Sequence, residues 1–313
     1  MKSPSPRTRI AAGVLLITVG GLSLSACSTS DAPTTGGSAD IALAAAFYPL
    51  AYVAEHVAGD HADLMKLTAP GIEPHDLELS PAVVRDLQNQ DIVLYLSDFQ
   101  AAVDGAIAVT GVTGFDVADV INLLPAGQHE DGADGADAEH AEGAFDPHFW
   151  LDPTLLSTYA TAVSNEFGEL DPDNAADYSS NAAELAKQLG DLDKSYSTGL
   201  ANCERKDLYT THEAFGYLAD RYGLHEEGLS GIDPEAEPSP ARVREIRDLM
   251  AADGSTTIFT ESLVSANVAE ALASDAGVAT EVLDPIEGVV GDDDYMSVMN
   301  RNLASLRGAL GCS

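Results

Sequence analysis

Three histidines in this chain sit where side chains can converge on a small ligand. His75 lies in Gly71-Ile72-Glu73-Pro74-His75-Asp76, and His148 in Asp146-Pro147-His148-Phe149-Trp150-Leu151-Asp152-Pro153. His212 directly follows the strand-like Leu208-Tyr209-Thr210-Thr211, and Asp284 directly follows the strand-like residues 280–283 and precedes Pro285. Open α/β sheets bind ligands just beyond the carboxyl ends of their strands. Three imidazoles and one carboxylate make a tetrahedral nitrogen–oxygen set that zinc accepts readily. No HExxH or CxxC spacing is present, so no local motif carries the site alone, and each His taken singly reads as a polar loop residue. Three His with an open fourth position is also the layout of catalytic zinc. A zinc-dependent hydrolase with Glu213 as general base is therefore the competing reading.

The elements that must position these residues alternate between strand and helix. Strands are expected at 41–47, 63–67, 92–96, 208–211, 256–260 and 280–283. Pro49 opens a helix that Gly59-Asp60 stops, and Ser80-Pro81 is an N-cap followed by Pro at the first helical position. Further helices are expected at 153–168, 213–222, around Val243, Ile246, Leu249 and Met250, from Ser265 to Gly277, and at 294–310. A long helical stretch over 171–200 puts Leu185, Leu189, Leu192 and Tyr196 on one face. The alternation predicts an α/β fold: two βα-type halves with parallel sheets covered by helices. There is no GxGxxG and no phosphate-binding loop, so nucleotide chemistry has no support.

Lys2, Arg7 and Arg9 precede an apolar run over residues 10–24, the pattern of a secretory signal. The run ends in Leu24-Ser25-Ala26-Cys27, which resembles the bacterial lipobox, with Cys27 as the lipidated residue; an ordinary cleaved signal is the alternative. Residues 28–39 are rich in Ser, Thr, Gly and Pro and read as a tether. Cys203 and Cys312 then remain as an even pair in an oxidising compartment. A disulfide is favoured over two buried thiols, because Cys312 is second from the end of the sequence. The net charge of −36, from 15 Lys and Arg against 51 Asp and Glu, disfavours nucleic acid as a partner and concentrates cations. Acidity of this kind also serves solubility and does not define a metal protein. Residues 127–143, with His129 and His140 among Gly, Ala, Asp and Glu, form a loop that can build no core.

Four segments together resemble the cluster A-I solute-binding proteins of zinc and manganese ABC transporters, the ZnuA-like family. They are the His75 and His148 segments quoted above, Thr211-His212-Glu213-Ala214-Phe215-Gly216-Tyr217-Leu218 with Tyr222-Gly223-Leu224, and Phe259-Thr260-Glu261-Ser262 leading to Leu283-Asp284-Pro285. The resemblance implies a signal peptide at 1–26, a tether at 27–39, an N-terminal α/β lobe at 40–170, a linking helix at 171–200 and a C-terminal α/β lobe at 201–313. A metal site would lie in the interlobe cleft, with His75 and His148 from one lobe and His212 and Asp284 from the other. Glu73, beside His75, and water are rivals to Asp284 as fourth ligand.

Zn2+ is the expected cargo, because imidazole suits zinc and carboxylate suits manganese, and manganese-specific relatives carry a carboxylate at the place of His212. A manganese or iron receptor of the same family is the alternative. The family also implies an ABC permease and ATPase as partners, a lipid-anchored extracytoplasmic location, a monomer, and no enzyme activity. His129 and His140 would capture additional zinc or be a solvated insert. A surface adhesin finds no separate module in the sequence. Asp146 and Asp152 read equally as carboxylates that orient a ligand imidazole and as turn or cap residues. Phe149 and Trp150 read as packing beneath His148, and His56, His61 and His225 as surface residues.

Overall fold

The run Leu43-Ala44-Ala45 has no exposed face, and that places its strand in the middle of a sheet. The structure, a computed structural model, describes residues 41–127 and 145–313. Strand β1 (Ile41–Ala45) leads into α1 (Tyr48–Ala58), β2 (Ala62–Lys66), α2 (Pro81–Leu87), β3 (Ile92–Tyr95), α3 (Ala101–Thr110) and β4 (Gly114–Asp116). The four strands form one parallel sheet in the order β2-β1-β3-β4, with Leu43 opposite Leu64 on one side and Ile92 on the other. Ser80 caps α2 through the Val83 N–H, as the Ser-Pro pair predicts.

Two long helices follow, α4 (Pro153–Leu170) and α5 (Ala175–Gly199). They pack along each other and against α1. Asp152 opens α4 by accepting the Thr154 N–H, and Leu185, Leu189, Leu192 and Tyr196 form the buried face of α5. The chain then runs through β5 (Asp207–Thr210), α6 (Gly216–Tyr222), β6 (His225–Gly228), α7 (Pro240–Asp253), β7 (Thr257–Thr260), α8 (Asn267–Ala276), β8 (Ala279–Val282) and α9 (Tyr295–Leu310). β5 pairs with β6 and β7 with β8, both in parallel, and β5 lies beside β7.

The expected alternation holds, with three additions. α3, β4 and β6 are not anticipated by the sequence reading. The helix expected from residue 213 begins only at Gly216, and the Phe215 N–H just before it is given to the buried Glu226 carboxyl group at 2.9 Å. Cys203 and Cys312 are joined by a disulfide, which ties the end of α9 to the segment before β5. One apolar core runs from Ile41 to Leu310, and a smaller one gathers Tyr209, Leu229, Ile246, Met250 and Ile258. All the described residues fall in one compact unit, Ser38–Ser313. Among them no helix is long and apolar enough to cross a membrane. Cys27, the tether, and His129 and His140 lie outside the described residues.

Candidate metal centre

His75, His148 and His212 meet, and the fourth group among them is Glu287. One ligand-type atom from each lies within 4.8 Å of every other. Each residue stands in a connection between regular elements. His75 is in the loop between β2 and α2, and His148 immediately precedes a short 3-10 turn, Phe149–Leu151. His212 follows β5, and Glu287 lies between β8 and α9. The Glu287 carboxylate oxygen Oε1 is 3.0 Å from His75 Nε2, 3.1 Å from His148 Nε2 and 3.6 Å from His212 Nε2.

Two of the imidazoles are aimed from behind. Asp146 Oδ1 stands 2.7 Å from His148 Nδ1, and Glu261 Oε1 stands 2.8 Å from His212 Nδ1. A carboxylate on Nδ1 fixes the tautomer that leaves Nε2 as a lone-pair donor, and raises its basicity. Of the two readings of Asp146 and Asp152, the structure gives the orienting role to Asp146 and the helix cap to Asp152. Trp150 and Phe149 are fully buried, and the Trp150 ring centroid lies 5.3 Å from that of His148.

Asp284 is not in the group, which corrects the expectation from the sequence. Its Oδ1 accepts the Ile286 N–H at 2.8 Å, and its carboxylate also bonds Ser262. Ile286 then turns the chain with a positive φ of 60°, and Glu287 enters the site instead. Glu73 does not join either. Its Oε1 accepts the His75 backbone N–H at 2.9 Å and is 3.9 Å from His75 Nε2. Sequence reasoning misses Glu287 because Asp284-Pro285 directly follows a strand and satisfies the same rule of position. The available signal is an acid flanked by Ile286 and Gly288, three residues further on. Of the other histidines, His56 and His225 are exposed, while His61 is partly exposed and 3.2 Å from Asp177.

The electrostatics are those of a cation site. Burial pushes the His148 pKa down, but the Asp146 charge and hydrogen bond, with Glu287, outweigh it and raise the value to about 9. Burial acts the same way on His212, and Glu261 and Glu287 overcome it and raise the pKa well above the usual range. Burial pushes the Glu287 carboxyl up, and the three imidazoles around it, those of His75 and His148 within hydrogen-bond distance, hold it well below the usual range. His212 Nε2 and Glu287 Oε2 are buried with no hydrogen-bond partner. Unpaired buried polar atoms carry a desolvation penalty, and a metal ion among four convergent donors would remove it. Three imidazole nitrogens and one carboxylate oxygen match the donor types and number of a tetrahedral zinc site.

A parallel α/β fold with a buried centre of three histidines and one carboxylate has the donors to hold a divalent metal. The family model described as zinc-uptake complex component A, periplasmic (ZnuA), matches residues 43–309, and the chain belongs to that family. It is 31% identical to the high-affinity zinc uptake system protein ZnuA of Bacillus subtilis, over 95% of this chain and 97% of that protein. It is 33% identical to the zinc-binding lipoprotein AdcA of Streptococcus pneumoniae over 83% of this chain, and there it spans about half (54%) of the relative's length. The crystal structure of the Zn(II)-bound ZnuA-like domain of that AdcA superposes with a TM-score of 0.72 at 30% identity, over 87% of this chain and 99% of the domain. These relatives are described by uptake and binding of zinc, and none by a catalysed reaction.

Proposed function

We propose that this protein is an extracytoplasmic receptor that captures Zn2+ through His75, His148, His212 and Glu287, and delivers it to the permease and ATPase of an ABC importer. The observation that carries the reading is the convergence of three Nε2 atoms on one buried carboxylate, two of them aimed by acids on Nδ1. Zinc is the cargo because imidazole dominates the donor set, and zinc stands above manganese in affinity for a given nitrogen–oxygen site. Asp284 serves the site through the backbone and not as a ligand.

We read residues 40–170 and 201–313 as two halves joined by the helical stretch 171–200, each half supplying donors. Anchoring by lipid on Cys27 completes the reading, supported by the lipobox-like residues and by the lipoprotein description of AdcA. The hydrolase reading needs an open fourth position, and Glu287 stands among the three histidines there.

The test is competitive metal titration of the metal-stripped mature domain against a chelator. Wild type should bind one zinc tightly and manganese weakly. His212→Ala and Glu287→Ala should each lose zinc affinity by more than about tenfold, while Asp284→Asn, which retains an acceptor for Ile286, should lose less. A preference for manganese, or indifference to both alanine variants, would overturn the proposal.

A further inference from the structure

Each donor of the centre except one has a carboxylate behind its ring or beside its backbone. Asp146 holds the His148 ring, Glu261 holds the His212 ring, and Glu73 holds the backbone of His75. Glu287 differs. Its Oε1 faces only the imidazoles, and its Oε2 has no partner. Nothing behind the carboxylate locates it, so its place is set by the backbone that presents it.

That backbone is gripped at three successive residues. Asn302 on α9, 2% exposed, clamps Asp284 from both sides: its Oδ1 accepts the Asp284 N–H at 3.0 Å and its Nδ2 donates to the Asp284 carbonyl at 2.6 Å. Trp150 Nε1 donates to the Pro285 carbonyl at 2.7 Å, and Tyr295 OH on α9 in turn donates to the Trp150 carbonyl at 2.6 Å. Asp284 Oδ1 accepts the Ile286 N–H. A β-branched residue at φ 60° is a true outlier, and such a conformation persists only where its surroundings over-determine it. Here the surroundings are these bonds, and the residue they hold in that conformation is the one directly before Glu287.

We propose that Asn302 and Trp150 are positioning residues for Glu287, and do through the main chain what Asp146 and Glu261 do through imidazole Nδ1. The inference rests on the reading of Glu287 as a metal donor. Trp150 has a double place in this arrangement, since its ring also packs against that of His148. It thereby couples two donors that are 139 residues apart in sequence.

The experiment uses Asn302→Asp, which keeps an acceptor for the Asp284 N–H and loses the donor to its carbonyl, and Trp150→Phe, which keeps an aromatic ring and loses the indole N–H. Each is combined with Glu287→Ala. Zinc affinity is measured by chelator competition, and Co2+ is used as a spectroscopic probe, because its visible absorption reports coordination number. In the wild-type background each variant should weaken zinc by about 10- to 100-fold, the range for residues that orient metal ligands, and should shift the Co2+ spectrum toward that of Glu287→Ala. In the Glu287→Ala background the same variants should cost little further affinity, since residues acting as one unit are non-additive. Full additivity with Glu287→Ala, or a Co2+ spectrum unchanged by both variants, would overturn the positioning role. Should Glu287→Ala itself leave zinc affinity and the spectrum unchanged, the metal reading of Glu287 fails first, and the positioning proposal falls with it. Trp150→Phe keeps the test open if Asn302→Asp does not fold.

Discussion

Asp146 holds His148 twice: the same Oδ1 accepts the backbone N–H at 2.9 Å and meets ring Nδ1 at 2.7 Å. Backbone and ring are thus fixed by one carboxylate two residues away, across Pro147. The pairing makes Asp146 part of the centre although it is not among the donors. Asp146→Ala should weaken zinc by about 10- to 100-fold, and Asp146→Asn by less, since the amide oxygen still accepts from Nδ1–H. Chelator competition on both variants checks this; equal affinity for Asp146→Ala and wild type would remove the role.

Gly216 makes room for that carboxylate. A Cβ there would lie 2.7 Å from Asp146 Oδ2, so any side chain at 216 must displace the acid or the start of α6. Gly216→Ala should therefore lower zinc affinity in wild type, and have little further effect in the Asp146→Ala background. A loss of equal size in both backgrounds would show that the glycine serves α6 alone.

Zinc binding should release protons. Without metal, His148 titrates at about 9 and His212 well above the usual imidazole range, so both carry protons at neutral pH. The Glu287 carboxyl, held low by the same imidazoles, contributes none. Imidazole must be neutral to ligate, so roughly two protons should leave per zinc near pH 7, and affinity should fall by about a hundredfold per pH unit as pH drops. Calorimetry in buffers of different ionisation enthalpy measures the count. Binding with no proton release would show that the imidazoles are neutral in the metal-free protein.

Much of this is legible in the sequence where local chemistry is strong. Ser80-Pro81 and Asp152-Pro153 announce helix starts, and both side chains cap their helices. The face of α5 follows from residue spacing alone. The three histidines are legible because each stands in a loop segment that the family resemblance also marks. β6 is not, because His225-Glu226-Glu227-Gly228 looks polar. Its Glu226 is buried for a reason outside the strand, namely to accept the Phe215 N–H and the Thr210 hydroxyl. Glu287 is not legible because its approach depends on a left-handed Ile286, which no propensity favours and which only bonds from Trp150, Asn302 and Asp284 explain.

The disulfide should matter for stability more than for metal. Cys203 and Cys312 are 109 residues apart, and closing a loop of that size restricts the unfolded chain by about 4–5 kcal/mol in the chain-entropy model. Replacing both by Ser should lower unfolding free energy in urea by roughly 2–5 kcal/mol. Zinc affinity of the folded fraction should stay close to wild type, because Arg205 also ties the end of α9, through two bonds to the Ala309 carbonyl. Unchanged urea stability under oxidising conditions would refute the bridge's contribution.

Glu226 should make the protein less stable as pH rises. Burial pushes its carboxyl up to about 8, against the lowering pull of the Phe215 N–H. The folded state therefore keeps a proton that the unfolded chain sheds near the usual 4.5. Stability from this group is fully present below that value, declines above it, and is lost once pH passes through 8. A shift of this size corresponds to roughly 2–4 kcal/mol once tempered for relaxation of the buried site. Glu226→Gln keeps an oxygen for the Phe215 N–H and carries no charge at any pH. Urea midpoints of the metal-free protein at about pH 5.5 and about pH 8.5, on either side of the folded-state value, should converge in that variant relative to wild type. If both proteins lose the same stability over that interval, the proton resides elsewhere, and His148 and His212, whose raised values act in the same direction above neutrality, would account for the decline.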